Sequence, residues 1–367
     1  MRSLRFLSFA LCLLVLPVHA QPGMTLEQIA SLRMVTQAKA SPDGRQVAYA
    51  LSVPRTLGSD DDGPAWTELH VADATGASRG FVTGKVNVAG IAWLPGGQDI
   101  AYLAKRQGDE VRSLYRIPVG GGESRVLAKL KVDIASFSLS PDGRQVALLA
   151  TAAESDELKA QKKRGFTQKV YEEDWRATEL WIAPVGDAAG APRRVPVQGS
   201  VQAVAWSPAG DRLALVVTPR QLTDDTLVFG KVRIIAPDGR LLGSVDNPGK
   251  LGPMAWSTDG AHLAVLSAED KHDAQFGRLT VVGRDGGAQR DLLPGLLGHV
   301  TDVDWRDGGR VVFISHEGVE ARVGEINADG SGQRTLLPLG GPIWTGLHVS
   351  RRGDIALVGN TPQHPGE

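Results

Sequence analysis

One pentapeptide of the sequence has the spacing that presents a catalytic serine in many hydrolases. The segment GASRG at residues 76–80 matches Gly-x-Ser-x-Gly, in which a sharp turn between a buried strand and a helix exposes the serine hydroxyl. The residues that follow this match, FVTGKV, predict a strand and then a turn instead of a helix. We therefore expect that Ser78 is not a nucleophile, and we assign no catalytic residue to this chain.

The other residue types that support catalysis or metal binding are dispersed along the chain. The histidines show no pair at metal-ligand spacing, and no Gly-Lys-Ser/Thr loop for phosphate occurs. The acidic segment SDDDG at 59–63 lacks the ligand spacing of a calcium loop, so it predicts a solvated loop. The only cysteine is Cys12, in the N-terminal segment, which leaves the rest of the chain without a disulfide or a thiol nucleophile. The sequence therefore predicts neither a metal site nor a cofactor.

Composition narrows the class of protein. The chain has 367 residues and a formal net charge of −1, so its electrostatics give no reason to expect binding to nucleic acid or to an anionic membrane. Glycine is frequent, with 44 residues, whereas aromatic residues make up only 5% of the chain. This balance is typical of a turn-rich all-β protein rather than of a helical bundle.

The first 20 residues have the three parts of a secretory signal peptide. Arg2 and Arg5 supply the positive charge, residues 4–18 form the apolar segment, and the motif VHA, which ends at Ala20, is a small-x-small cleavage site. The apolar run is too short for a typical membrane-spanning helix. We therefore predict a signal peptide at 1–20 that is cleaved near Ala20. The protein is then expected to be periplasmic or secreted, and not held in the membrane after cleavage.

One short phrase recurs along the chain and predicts the fold. It consists of an apolar residue or a tryptophan, a turn that resembles Ser-Pro-Asp-Gly, and an alternating apolar run. Proline sets φ at the first corner of such a turn, and glycine takes the left-handed position that closes a hairpin. The alternation after the turn has period two, which indicates a strand with one buried face. The seven copies are ASPDGRQVAYA at 40–50, AWLPGGQDIAYLA at 92–104, FSLSPDGRQVALLA at 137–150, VAWSPAGDRLALV at 204–216, MAWSTDGAHLAVL at 254–266, VDWRDGGRVVFI at 303–314 and VSRRGDIALVG at 349–359.

The spacing of the copies identifies the repeating unit. Successive turn glycines are 45–53 residues apart, except for one interval of 67 residues, and each unit holds about four short strands. Such a unit is typical of a β-propeller blade, which must stack on neighbours to bury both of its faces. We therefore predict an all-β fold, a seven-bladed β-propeller of four-stranded antiparallel blades over residues 21–360. A two-sheet sandwich is the alternative, but it does not require near-identical repeats. The tryptophans before the turns are expected to fill space between blades: Trp93, Trp206, Trp256 and Trp305.

Two segments depart from this repeat. The 67-residue interval predicts an insertion in the third blade at about 151–178. This segment is highly charged and lacks strand alternation, and its residues 155–163 are expected to form a solvated helix. Before the first blade, MTLEQIASLRMV predicts a short helix, because Thr25 and Gln28 fit a capping box. Its apolar residues fall on one stripe, formed by Leu26, Ile29 and Leu32.

These segments together resemble the N-terminal half of exported serine peptidases of the prolyl oligopeptidase family, in its acylaminoacyl-peptidase and dipeptidyl-aminopeptidase-like branch. The resemblance covers essentially the whole chain after the signal peptide. It rests on MTLEQIASLRMVTQAKASPDGRQVAYALS, on the Trp-Ser-Pro-x-Gly blades, on YEEDWRATELWIAPVG in the third blade and on the closing GNTPQHPGE. In that family an α/β-hydrolase domain follows the propeller and carries the catalytic serine, aspartate and histidine. The resemblance therefore implies that residues 361–367 begin the linker to a hydrolase domain that is not present in this chain.

The same resemblance points to candidate substrate-binding residues in the third blade, namely Glu172, Glu173, Asp174 and Arg176. Paired carboxylates could hold the free amine of a peptide, and an arginine could hold a carboxylate or a carbonyl. The alternative is that these residues form a solvated, ion-paired loop without a ligand. The neighbouring Trp175 and Trp181 are expected to pack.

Two functions of different classes follow from the sequence. The first is the non-catalytic propeller portion of an exported serine peptidase, which gates and positions short peptides for the hydrolase domain and is inactive alone. The second is a stand-alone periplasmic propeller for protein–protein interaction, similar to the propeller of the Tol system. A reading frame that continues into a strand, Gly-x-Ser-x-Gly and a helix would favour the first.

Overall fold

Residues 23–185, 190–272, 277–307 and 309–367 are described by the computed structural model of this chain. The signal peptide predicted at 1–20 lies outside these ranges. Within them, no helix has both the length and the apolar character that crossing a lipid bilayer requires.

The described residues form antiparallel sheets and three short helices, which confirms the all-β prediction. Strands follow one another in groups of four, and each strand in a group pairs antiparallel with the next. The first three groups are β1 (Met34–Ala40), β2 (Gln46–Val53), β3 (Trp66–Asp73), β4 (Ser78–Val82); β5 (Ala89–Trp93), β6 (Asp99–Ala104), β7 (Ser113–Pro118), β8 (Arg125–Ala128); and β9 (Ile134–Leu139), β10 (Gln145–Thr151), β11 (Thr178–Pro184), β12 (Arg193–Val195).

Three further groups and one pair of strands complete the described chain. The groups are β13 (Ser200–Trp206), β14 (Leu213–Thr218), β15 (Lys231–Ile235), β16 (Leu241–Val245); β17 (Leu251–Trp256), β18 (His262–Ser267), β19 (Arg278–Gly283), β20 (Gly286–Asp291); and β21 (His299–Asp307), β22 (Arg310–Glu317), β23 (Glu320–Asn327), β24 (Arg334–Leu337). The last two strands, β25 (Ile343–Val349) and β26 (Ile355–Asn360), form a two-stranded sheet. The fourth and fifth groups are joined at their outer edges by a short parallel pairing of β16 with β20.

The turn between the first two strands of a group explains why the Ser-Pro-Asp-Gly phrase recurs. In the first group, the Ser41 hydroxyl donates a hydrogen bond of 2.6 Å to the Asp43 carboxylate. Gly44 has φ +70°, in the left-handed region that favours glycine, and its N–H bonds the Ser41 carbonyl at 2.9 Å. The same serine-to-aspartate bond occurs in the turns that begin at Ser140 and Ser257. The phrase therefore satisfies its own polar groups and closes a hairpin without tertiary help.

The tryptophans that precede these turns are buried between neighbouring groups, as the sequence predicts. In three of the four cases the indole N–H donates to a backbone carbonyl on the first strand of the preceding group: Trp93 to Lys39 at 2.8 Å, Trp256 to Ala205 at 3.2 Å and Trp305 to Ala255 at 2.8 Å. The indole nitrogen of Trp206 has no hydrogen-bond partner among the described residues. These bonds place the first strands of successive groups side by side.

The hydrophobic core lies between neighbouring sheets. One cluster combines Ala48 and Leu69 of the first group with Ile100 and Tyr102 of the second, and all four are fully buried. A second cluster joins the third and fourth groups in the same way. Each sheet is thus apolar on both faces and needs a neighbour on each side, which a two-sheet sandwich does not supply.

The hairpin turns contact one another on one face, which is termed the turn face and is formed by residues 41–45, 94–98, 140–144, 207–212, 257–261 and 350–354. A Cβ atom placed on a turn glycine would meet the proline of the preceding turn: Gly97 to Pro42 at 3.5 Å, Gly143 to Pro95 at 3.2 Å, Gly210 to Pro141 at 3.5 Å and Gly260 to Pro208 at 3.5 Å. Gly44, in the first turn, lies against Asp354 in the last one. The series of turns therefore leads back to its start.

The first group and the two-stranded sheet meet without sharing strands. The Ala40 N–H donates to His348 Nδ1 at 3.1 Å, and the Val35 N–H donates to the Gly366 carbonyl at 2.7 Å. Residues 361–367 turn back along β26 and are bonded to it through their backbone. A few hydrogen bonds to β1 and side-chain packing therefore close this seam.

The helices lie outside the sheets at α1 (Leu26–Ala30), α2 (Asp156–Lys163) and α3 (Thr223–Val228). The capping box predicted for α1 is present, because the Gln28 N–H donates to Thr25 Oγ1 at 3.2 Å and the Thr25 N–H donates to Gln28 Oε1 at 2.9 Å. Neither α1 nor α2 buries a residue. The apolar stripe of α1 is therefore uncovered, whereas the polar α2 is solvated as its sequence predicts.

Candidate functional site

The face opposite the turn face carries the longest connections between strands. Strand direction alternates within a group, so the links between second and third strands emerge there together with the segments that join groups. This surface is termed the long-loop face, and its main loops are 54–65, 105–112, 152–177 and 219–230. Recognition residues in all-β folds are concentrated on such loops, because a rigid scaffold positions them.

Most of the large apolar side chains that are exposed lie on the long-loop face. Leu26 is 80% exposed, Tyr171 84% and Leu297 93%. The set comes from the segment around α1, which leads into the start of β1 on this face, and from the connecting loops. Its members are Met24, Leu26, Ile29, Leu32, Leu57, Phe166, Val170, Tyr171, Trp175, Leu227, Phe229, Leu297, Val319 and Leu339. Concentration of exposed apolar side chains on one face is typical of an interaction surface.

Ser78 does not lie in a catalytic geometry. It is the first residue of β4, so a strand and not a helix follows it. Its hydroxyl is 2.6 Å from the Tyr49 hydroxyl, and the Tyr49 ring stacks on His70 at a centroid distance of 5.4 Å. His70 Nε2 is paired with Glu68 at 2.9 Å. The partner of the serine is thus a tyrosine, and no histidine or carboxylate of the described residues is bonded to its hydroxyl.

Two of the four candidate substrate-binding residues are exposed carboxylates on the long-loop face. Glu172 and Glu173 lie in a turn at 171–174, and Glu172 has φ +63°, in the left-handed region that non-glycine residues rarely adopt. Neither carboxylate forms a hydrogen bond or a salt bridge with another described residue. Both are therefore available to an incoming cation, such as the amine of a peptide.

The other two candidates hold their own loop together. The Asp174 carboxylate accepts a hydrogen bond of 2.8 Å from the Val170 N–H, and Arg176 donates one of 2.9 Å to the Ala152 carbonyl. The neighbouring Trp175, which was expected to pack, is 36% exposed. Trp181, in contrast, packs against the core as predicted.

The sequence analysis missed an arginine that interacts electrostatically with Glu172. Arg220, on loop 219–230, interacts electrostatically with Glu172 and donates two hydrogen bonds to Asp225, at 2.9 and 3.2 Å. The Asp225 side chain is only 4% exposed, and the hydrogen bonds from Arg220 lower the pKa of its carboxyl. Asp225 belongs to α3, a helix too short to give a periodic signal, which is why the sequence did not reveal the pair.

The first strand of each group faces a central channel, and polar side chains line this channel too. A cavity of about 480 Å³ is bounded by β1, β5, β9 and β25, and Lys39 and His348 are among its lining residues. On β21, Asp302 accepts a hydrogen bond of 2.9 Å from the Leu347 N–H, and Asp304 accepts one of 2.7 Å from the Val349 N–H. These two carboxylates therefore join β21 to β25.

The enclosure of these groups changes their acidity. Burial raises the pKa of Asp302, and it raises the pKa of Asp304 to about 6. Burial, with a further contribution from the charge of Lys39, lowers the pKa of His348 to about 3. His348 is therefore neutral at neutral pH. Among the described residues, no three histidine, cysteine, aspartate or glutamate side chains are gathered closely enough to hold a metal ion.

Comparison with curated proteins identifies two similar peptidases, whereas no family model matches the chain. The uncharacterized peptidase YuxL of Bacillus subtilis is 25% identical over 140 residues, which are 38% of this chain and 21% of that protein. Dipeptidyl-peptidase 5 of Porphyromonas endodontalis is 24% identical over 208 residues, which are 53% of this chain and 29% of that protein. Each match therefore spans less than a third of the relative's own length.

Comparison with solved structures identifies propellers. An acylaminoacyl peptidase in complex with Z-Gly-Gly-Phe-chloromethyl ketone superposes with a TM-score of 0.69 at 14% identity, over 92% of this chain and 51% of that one. The β-propeller domain of the Trilobed protease from Pyrococcus furiosus, described as having an open velcro topology, superposes with a TM-score of 0.63 at 15% identity, over 91% of this chain and 94% of that one. At these identities the comparison shows the fold, which is that of a β-propeller.

Proposed function

We propose that this chain, which resembles the propeller domains of prolyl oligopeptidase family peptidases, is the non-catalytic propeller portion of an exported serine peptidase of that family. Its role is to gate and position short peptides for an α/β-hydrolase domain. The proposal is supported by the two curated relatives, which are named as peptidases, and by the acylaminoacyl peptidase structure, of which the chain covers about half.

The observation that carries this proposal is the apolar surface of the long-loop face. In α1, Leu26 is 80% exposed and Ile29 is 52% exposed, although the helix has a complete capping box that defines its start. Full burial of a leucine or isoleucine side chain stabilises by about 1.5–3 kcal/mol. A domain that covers this face would therefore gain several kcal/mol from α1 and the surrounding loops, and the hydrolase domain is the partner that the resemblance supplies.

The proposal includes a ring of seven blades. The six four-stranded groups would be the first six blades, and β25 with β26 would be the seventh. Residues 152–177 would then be an insertion in the third blade. The series of turn contacts, which returns from Asp354 to Gly44, is the support for this count.

The proposed gate is formed by loops 152–177 and 219–230. Glu172 and Glu173 would bind the amine of a peptide, and Arg220, which Asp225 holds in place, would orient a carbonyl of the peptide backbone. Loop 219–230 is tied to the inner strand β13 by Gln221, whose side-chain oxygen accepts a hydrogen bond of 2.6 Å from Gln202. A substrate that engages both loops would therefore be positioned relative to the channel.

The test is to express the chain alone and together with the polypeptide encoded directly downstream. We expect peptidyl-anilide hydrolysis that a serine-directed inhibitor abolishes in the longer protein, and no hydrolysis by the chain alone. Ser78→Ala is the control and should leave the activity of the longer protein unchanged. Hydrolysis by the chain alone that Ser78→Ala removes would overturn the proposal, and a downstream sequence without a hydrolase domain would favour the stand-alone binding propeller.

Export has its own test. The protein purified from the periplasm or the medium is expected to begin at Gln21, as measured by N-terminal sequencing. A cytoplasmic protein that retains Met1 would contradict the signal-peptide part of the proposal.

A further inference from the structure

The cavity between β1, β5, β9 and β25 lies at the end of the channel next to the turn face. Its volume of about 480 Å³ is within the range that holds a small molecule or a short peptide. Turn residues stand around it, among them Pro42, Pro95, Pro141 and Arg351. Arg351 reaches across from the turn after β25, and its Nη2 donates a hydrogen bond of 3.2 Å to the Pro141 carbonyl. The cavity is therefore bounded by residues that lie far apart in the chain.

The charged side chains that line this cavity are cations. They are Lys39 and Arg351, and no aspartate or glutamate lines it among the described residues. The Lys39 ammonium group forms no hydrogen bond or salt bridge with any described side chain. Asp302 and Asp304 interact with it electrostatically, but both belong to β21, outside the lining of this cavity. Asp302 lines an adjacent cavity together with Lys39, so the charge of Lys39 is partly balanced from the side of β21, although no carboxylate bonds its ammonium group directly.

The neutral polar groups add hydrogen-bond donors. Because His348 Nδ1 accepts the Ala40 N–H at 3.1 Å, the neutral ring carries its proton on Nε2, where it can donate. Gln37 uses its side-chain oxygen to accept the Ile91 N–H at 3.1 Å, which leaves its amide NH₂ as a donor. Both residues line the cavity. The lining is thus rich in donors and cations, and its complement is a ligand that carries acceptors and negative charge.

We propose that this cavity binds a carboxylate, and that the carboxylate is the C-terminal group of a short peptide. Lys39 supplies the charge, and His348 and Gln37 supply hydrogen bonds to the carboxylate or to the last peptide group. Trp93 and Phe137 form apolar parts of the wall, which suits side chains of the bound peptide. This inference rests on the proposed function for the identity of the ligand, but the cation-lined cavity does not depend on the hydrolase domain.

The experiment is a calorimetric titration of the whole chain with acetyl-Ala-Ala and with its C-terminal amide at pH 7.5. The free carboxylate is expected to bind at least tenfold more tightly than the amide. Lys39→Met should remove this preference, Lys39→Arg should retain most of it, and Lys131→Met, which alters an exposed lysine outside the cavity and outside the gate loops, should leave it unchanged. Thermal melts of the variants verify that each is folded.

The outcomes separate this inference from the proposed function. Equal affinity for acid and amide, or no binding at peptide concentrations up to about 10 mM, would overturn the inference even if the longer protein proves to be a peptidase. Acetate that binds as tightly as acetyl-Ala-Ala would also overturn it, because the site would then take a simple anion and not a peptide terminus. Loss of the preference in Lys39→Met with retention in Lys39→Arg would support it, whatever the downstream sequence encodes.

Discussion

The buried carboxyl group of Asp304 makes a quantitative prediction about stability and pH. The perturbation is Asp304→Asn, which removes the ionisable group from the contact between β21 and β25. Burial raises the pKa of Asp304 from 3.8 to about 6, although the Val349 and Trp305 N–H groups and Lys39 oppose this change. The native state therefore keeps a proton on Asp304 at pH values where the unfolded chain has lost it.

The sign and size of the effect follow from this difference in pKa. Stability contributed by the protonated form is complete below about pH 4 and is lost as the pH rises through about 6, since the ionised carboxylate is disfavoured in the folded protein. A difference of about two pKa units corresponds to about 3 kcal/mol. Between pH 4 and pH 8 the wild type should therefore lose about 3 kcal/mol of unfolding free energy that Asp304→Asn does not lose. The difference, variant minus wild type, should rise by that amount.

The assay is urea denaturation of both proteins at several pH values, followed by tryptophan fluorescence. Any constant loss from the weaker acceptor properties of the amide cancels, because only the change with pH is compared. Asp142→Asn is the control, since the hydrogen bond from Ser140 lowers the pKa of Asp142 and its effect should be nearly constant from pH 5 to pH 8. If the difference between Asp304→Asn and the wild type stays constant from pH 4 to pH 8, the argument that burial disfavours ionisation of Asp304 is refuted.

Three further substitutions test other parts of the structure. Glu325→Ala should lower the free energy of unfolding by about 2–4 kcal/mol in urea titrations, because the buried Glu325 carboxylate pairs with Arg306, Arg310 and Arg334. A loss below about 0.5 kcal/mol would contradict this account. Gly44→Ala should lower the melting temperature more than Gly97→Ala. Both glycines have φ +70°, but a new Cβ at Gly44 would clash with the Asp354 side chain, whereas one at Gly97 would make only an ordinary contact with Pro42; equal losses would show that φ alone decides. Leu26→Ser should leave the melting temperature of the chain within about 1 °C while weakening its association with the proposed hydrolase domain in pull-down titrations. A large loss of stability in the chain alone would show that α1 packs on the propeller itself.

The features that were predicted correctly depend on neighbours in the chain. The Ser-Pro-Asp-Gly hairpins close through bonds between residues two or three positions apart, as in Ser41 with Asp43 and Gly44. The capping box of α1 joins Thr25 and Gln28 over three residues. Period-two alternation located the second strands of the groups, but the expectation that these strands have one buried face was wrong. β6, β10 and β18 each hold five consecutive buried residues, because a neighbouring sheet covers each of their faces. Such local chemistry is repeated in each unit, and repetition made the propeller visible in the sequence.

The assignment of Glu172, Glu173, Asp174 and Arg176 to substrate binding stays a prediction, and the structure shows where these residues lie. Glu172 and Glu173 do lie together on a loop of the long-loop face, but Asp174 and Arg176 serve that loop instead of extending the pair. Arg220 was missed because its interaction with Glu172 depends on how the third and fourth groups lie against each other. No short-range pattern records that arrangement, so the interaction of Arg220 with Glu172 could not be inferred.

The sequence by itself determined the repeating hairpin, the stacking of sheets through their buried faces and the solvated character of α2, because each depends on contacts within one unit or on its apolar period. Only the tertiary structure decided that Ala40 bonds His348, 308 positions away, that Asp302 and Asp304 face Lys39, and that the apolar stripe of α1 is uncovered. These features arise where the last strands meet the first. The free energy that selects such contacts comes from burial between distant parts of the chain, and an apolar stripe has the same sequence whether or not another surface covers it.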